Sequence, residues 1–148
     1  MRRLHLFAVT MAVMLAGGSA ALATQAPPEH QHPAEGTHRH PEAAKLKNPV
    51  PADAASLAAG KKVYDSSCSQ CHGATGHGDG KMAAMVTPKP SNLVDSEWKH
   101  GSSDGEIFVV IRDGVKGTGM KGFASKMTEH EMWDVVNYIW SLGAKPSH

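Results

Sequence analysis

The chain has 148 residues, 41% of them hydrophobic and 20% charged, with 15 basic against 14 acidic side chains and a formal net charge of +1. That length holds one domain plus extensions. The near-neutral balance lacks the basic stripe of a nucleic-acid binder, and no acidic or basic run points to a charged partner.

Residues 1–23 read as an export signal. Arg2 and Arg3 form a positive n-region, Leu6 to Ala16 an apolar h-region, and Ala21-Leu22-Ala23 a small-x-small cleavage site. The h-region is short of the ~20 residues that span a bilayer, although an uncleaved N-terminal anchor is the alternative. No cysteine stands beside the cleavage site for lipid attachment. The mature chain is therefore expected in a bacterial periplasm.

Residues 24–51 are rich in Pro, Ala, His and Glu and poor in large apolar side chains. Such a segment buries too little surface to offset its ordering entropy, and it is expected to be a disordered spacer. His30, His32, His38 and His40 lie close together in it. They are either incidental polar residues or a weak site for copper, zinc or nickel without fixed geometry.

Residues 52–148 are expected to form an all-α domain. A first helix is predicted over about Asp53 to Ser67, capped by Asp53 after Pro51. Gly60, Tyr64 and Cys68 share one of its faces. Gly60 either lets another helix cross closely or is merely tolerated. A second helix is predicted over about Asp104 to Asp113, opened by a Ser103/Glu106 capping box and closed at Gly114, with Ile107, Val110 and Ile111 on one face. A third begins at a Thr128/Glu131 capping box, carries Met132, Val135, Val136, Ile139 and Leu142 at helical spacing, and ends at Gly143 and Pro146. The loops at about Gly73 to Ser103 and Val115 to Met127 are long for so small a domain. A large buried cofactor would explain them and supply the missing core.

The only two cysteines, Cys68 and Cys71, are followed at once by His72. A zinc site needs four ligands, and neither His77 nor His100 completes a common spacing. A redox disulfide suits an oxidising compartment, but its Cys-x-x-Cys pair usually opens a helix among strands, and no strand pattern is present. Cys-x-x-Cys-His is the attachment motif of c-type haem. Two thiols add across the haem vinyl groups as thioethers, and His72 is then held at the iron. Met120, in the glycine-rich stretch Gly114 to Phe123, offers a sixth ligand. Met82, Met85, Met127 and Met132 are rivals, but Met120 stands where no apolar periodicity explains it. His77 and His100 could also ligate iron, but each sits among polar residues and is expected at the surface.

From Asp53 to Leu142 the chain resembles a small soluble class I cytochrome c. The stretches GKKVYDSSCSQCHGATGHGDGK, PKPSNLVDSEW, IFVVIRDGVKGTGMKGF and MTEHEMWDVVNYIWSLG resemble that family's first helix and haem motif, proximal loop, haem-wall helix with methionine loop, and C-terminal helix. The resemblance implies one haem c on Cys68 and Cys71, with iron ligands His72 and Met120. It implies that Pro90, or Pro88, lends its carbonyl to the His72 Nδ1 proton. It places Gly60 and Tyr64 where the first and last helices cross, near Tyr138. Lys121 departs from the proline that often follows the family's methionine ligand.

The function expected is periplasmic one-electron transfer by a monomer that is not an enzyme, with periplasmic or membrane redox proteins as brief partners. Lys116, Lys121 and Lys126 form either a basic docking rim or a solvated loop with acids nearby. Two rivals stand beside this reading. One is a haem-based ligand sensor or peroxidase-like enzyme with a labile methionine ligand. The other is a metal-handling protein that uses the His-rich spacer.

Overall fold

A computed structural model of the chain describes residues 40–143. They belong to one compact unit, His32–His148. The expected export signal, most of the spacer with His30, His32 and His38, and Pro146 lie outside the described residues.

Helix α1 spans Ala54–Ser67, with the Asp53 carboxylate accepting from the Ser56 amide at 2.9 Å. Helix α2, Ser69–His72, follows after Cys68. Helix α3, Asp104–Asp113, starts at a complete Ser103/Glu106 capping box, and α4, Glu129–Leu142, at a complete Thr128/Glu131 box. Each box satisfies two amide donors that the helix start would otherwise leave free. Two 3-10 turns, Ala43–Lys45 and Ala83–Met85, complete the regular structure. Among the described residues there is no strand, only an isolated bridge between Gly114 and Lys121. The architecture is the all-α one expected.

The helices meet because one face of each is apolar. Along α4, Met132, Val135, Val136 and Ile139 are buried, and Phe108 of α3 stacks on Trp133 with ring centroids 4.0 Å apart. Full burial of such side chains contributes about 1.5–3 kcal/mol each. Helix α1 crosses α4 at Gly60, where an added Cβ would stand 2.1 Å from the Asp134 carbonyl oxygen and 2.9 Å from Tyr138 Cβ. Glycine is needed there so that the two backbones can touch. Beside the crossing, the rings of Tyr64 and Tyr138 lie 5.2 Å apart. Ser56 donates to the buried Asp134 carboxylate at 2.6 Å.

The expected spacer, 24–51, requires a correction within residues 40–51. Ala43 is buried in the core, its carbonyl against Gly105 at the start of α3. Asn48 donates to the Asn137 side chain at 2.8 Å, and Asn137 donates to the Val50 carbonyl at 3.1 Å. Few apolar residues are required when a strap docks through side-chain amides, so composition alone hides it. The folded domain therefore begins before Ala52.

Candidate haem site

The cysteine motif forms one helical turn. Both Cys71 and His72 donate their amides to the Cys68 carbonyl, at 3.1 and 2.9 Å. Residues three and four apart on such a turn share a face, so Cys68, Cys71 and His72 line the same cavity. A helix of four residues leaves its last carbonyls bare. The following loop folds back to cover them: Met82, Gly80 and Gly78 donate to the carbonyls of Gln70, Cys71 and His72 at 2.8, 3.1 and 2.8 Å. The Tyr64 hydroxyl ties the end of the turn to α1 by donating to the Gly73 carbonyl at 2.8 Å.

The cavity measures about 500 Å³. Ile107, Val110 and Ile111 of α3 and Ile139 of α4 form apolar wall, and both long loops contribute the rest. Met120 is the only described methionine that lines it. Met82 and Met85 are solvent-exposed and Met132 lies in the core, at 2% exposure. The methionine loop is held internally. The Val115 amide donates to the Met120 carbonyl at 2.9 Å, and the Thr118 hydroxyl donates to the Val115 carbonyl at 2.8 Å while accepting from the Met120 amide at 3.1 Å. Lys121 donates through Nζ to the Thr118 carbonyl at 3.3 Å.

The expected partner of His72 is corrected. Nδ1 lies 3.0 Å from the carbonyl of Ser91, not of Pro90 or Pro88. The Pro90 carbonyl is turned onto Gly78, where an added Cβ would stand 2.5 Å from it. Pro90 and Pro88 still line the cavity. A carbonyl only accepts, so Nδ1 carries the proton and Nε2 keeps its lone pair for a metal. Burial lowers the His72 pKa, only partly opposed by the Ser91 hydrogen bond, which favours this neutral form. Burial, with Cys71 beside it, pushes the Cys68 thiol up to about 12. Neither cysteine is joined in a disulfide.

His77 is exposed, as expected, but His100 is half-buried and lines the cavity. Sequence neighbours made it read as a surface residue, whereas the loop that carries it folds over the cavity. Trp98, which no expectation singled out, also lines the cavity, and its buried indole N–H has no hydrogen-bond partner. A buried unsatisfied donor costs about 1–3 kcal/mol. A ligand with a broad apolar body, vinyl groups for two thiols, a metal for His72 and an acceptor for Trp98 fits this lining; protohaem has all four and becomes haem c when the thiols add to its vinyl groups. Among the described residues no cluster of three or more His, Cys, Asp or Glu could hold a metal ion. No helix among them is long and apolar enough to cross a membrane.

The family model described as Cytochrome c matches residues 57–143. A CcoP subunit of a cbb3-type cytochrome c oxidase from Rubrivivax gelatinosus is 29% identical over 94 residues, covering 64% of this chain and 28% of that protein. A FixP subunit of the same oxidase type from Sinorhizobium medicae is 30% identical over 99 residues, covering 62% and 32%. The chain thus spans about a third or less of the curated relatives it matches. Among solved structures, a chain of the Kuenenia stuttgartiensis reducing HAO-like protein complex aligns with a TM-score of 0.61 at 30% identity, covering 68% of this chain and 48% of that one. Cytochrome cL from Hyphomicrobium denitrificans aligns with a TM-score of 0.51 at 27% identity, covering 64% and 51%.

Proposed function

The chain belongs to the cytochrome c family, and from that premise we propose that it is an exported, periplasmic one-electron carrier with a single haem c. Cys68 and Cys71 hold the haem as thioethers, His72 binds the iron through Nε2, and Met120 binds it from the loop between α3 and α4. When bound, the haem supplies one-electron exchange between ferric and ferrous iron. The residues around it do the rest. The Ser91 carbonyl fixes the ring orientation and basicity of His72. The Val115–Thr118–Met120 hydrogen bonds would hold steady the loop that presents Met120. The apolar wall of α3 excludes water, so little rearranges when the charge changes. The partners are other redox proteins, met briefly.

The strongest support is that Met120, alone among the described methionines, lines the cavity that also takes Cys68, Cys71 and His72. The test is an absorption spectrum of the exported protein, oxidised and reduced, with and without carbon monoxide, beside Met120→Ala. A covalent haem whose methionine-to-iron charge-transfer band disappears in the mutant, with no carbon monoxide shift in the wild type, is the expected result. Ready carbon monoxide binding by the wild type would replace the sealed carrier with an open, ligand-binding iron.

A further inference from the structure

The haem uses none of the histidines that precede the strap. Four of the chain's 10 histidines stand between positions 30 and 40, and they fall into a repeat: His30-Gln31-His32-Pro33 and His38-Arg39-His40-Pro41. Histidines incidental to a polar stretch have no reason to keep this register. The proline of each copy disfavours helical backbone at the histidine before it. In extended chain, side chains two apart project to one face, so the spacing brings together the two imidazoles of each copy. Gly36 stands between the copies, and glycine accepts the left-handed backbone that a reversal needs. Between positions 29 and 41 the charged residues are Glu29, Glu35 and Arg39, with no lysine to repel a cation.

The fold anchors the second copy. The carbonyl of His40, the first described residue, accepts from the Ala44 amide at 3.1 Å. Ala43 is buried with its carbonyl against Gly105 of α3, and Asn48 bonds Asn137 of α4. Three residues of chain separate His40 from Ala43, a reach of at most about 11 Å. A metal held there has less chain to order than one on an untethered segment, and ordering chain is a large part of what binding costs.

We propose that His30, His32, His38 and His40 bind one copper(II) ion through four imidazole nitrogens. Imidazole suits copper, zinc and nickel, and among divalent first-row ions copper(II) binds a given nitrogen set most tightly. Four nitrogens in a plane are also a copper(II) geometry. Structural zinc sites draw on cysteine thiolates, and both cysteines of this chain belong to the haem motif. The site shares no residue with the haem, so it stands independently of the carrier reading.

The test uses the exported, haem-loaded protein in its oxidised form, with copper(II) chloride as probe and glycine as a competing ligand. Calorimetry reads affinity and stoichiometry, and electron paramagnetic resonance reads the copper ligand set. The wild type is compared with H30A/H32A, H38A/H40A and H77A/H130A, the last a control at two exposed histidines elsewhere. The wild type is expected to bind one copper with a four-nitrogen spectrum. Loss of either copy should weaken binding by about tenfold or more, since even indirect support of a metal ligand is worth that much, and the control should change nothing. H30A/H32A lies outside the strap, so it reports on the site even if H38A/H40A disturbs residues 43–50. Two coppers bound independently, each lost with one copy, would overturn the shared site. Equal binding by all four proteins would overturn it as well, because the copper would then sit on scattered surface groups. Tighter binding of zinc chloride or nickel chloride under the same conditions would overturn the choice of metal. A haem absorption spectrum altered by copper would place the ion at the haem ligands and refute a separate site.

Discussion

Replacing Gly60 with alanine tests whether the crossing of α1 and α4 depends on backbone contact. The added Cβ would stand 2.1 Å from the Asp134 carbonyl oxygen and 2.6 Å from its carbon. Carbon atoms rest at about 3.5–4.0 Å from one another. Neither clashing atom can rotate away, because both are backbone, so the helices must move apart. Alanine gains about 1 kcal/mol of helix propensity over glycine. Against this stand about 1–3 kcal/mol of overpacking and the weakening of the 2.6 Å bond from Ser56 to the Asp134 carboxylate. A hydrogen bond to a charged group contributes about 1.5–3 kcal/mol. The balance is a net loss of about 2–4 kcal/mol, which lowers Tm by about 10 °C or more in a domain of this size. Guanidinium unfolding of the haem-loaded protein, followed by far-UV circular dichroism, measures it. Ala58→Gly, at an exposed site on the same helix, is the control and should cost about 1 kcal/mol. If Gly60→Ala is as stable as the wild type while the control behaves so, the reasoning from close approach is wrong.

Other outcomes follow from the same contacts. Asn137→Ala removes the amide that bonds Asn48, Val50 and Ser56. It should cost about 2–4 kcal/mol and open residues 43–50 to limited proteolysis; unchanged cleavage would mean that the strap is held by apolar contacts alone. Gly78→Ala strains a backbone at φ +74° and pushes on the Pro90 carbonyl, shifting the Ser91 carbonyl away from His72. A less basic imidazole stabilises ferric iron less, so voltammetry should find a raised potential, and a lowered one would contradict the assigned hydrogen bond. In the haem-free protein, burial favours the neutral Cys68 thiol, so the reactive thiolate appears only as pH approaches about 12. Alkylation of Cys68 at pH 8 should be slower folded than in denaturant, and equal rates would argue against a buried thiol. The same shift makes that fold lose stability as pH rises above 9.0, where the unfolded thiol ionises first.

The helices were legible because their signals are local. Asp53, Ser103/Glu106 and Thr128/Glu131 mark starts whose hydrogen bonds form within a few residues. Of the candidate site, Cys68, Cys71 and His72 were singled out by spacing alone and Met120 because no helical face accounted for it; the fold brings the four to one cavity. Three features were not legible. Every residue carries a carbonyl, so nothing in the side chains distinguishes Ser91 from Pro90 as the partner of His72. The strap over residues 43–50 docks through amides whose partners lie more than eighty positions away. Trp98 carried no pattern at all; its position follows from the course of a loop.

The bond from Ser56 to Asp134 joins residues 78 positions apart, and Cys68, Cys71, His72 and Met120 all lie between them in the chain. The α1–α4 crossing therefore closes a ring within which the haem-facing loops vary in length almost independently of what holds the ring shut. Doubling such an enclosed loop costs only about 0.6 kcal/mol in closure entropy, less than one buried hydrogen bond. Insertions between Val86 and Ser103, or between Val115 and Met127, can thus remodel the mouth of the cavity and the surface a partner meets while the crossing stays unchanged. Diversification of partner choice is cheap in this architecture, whereas substitution at Gly60 is not.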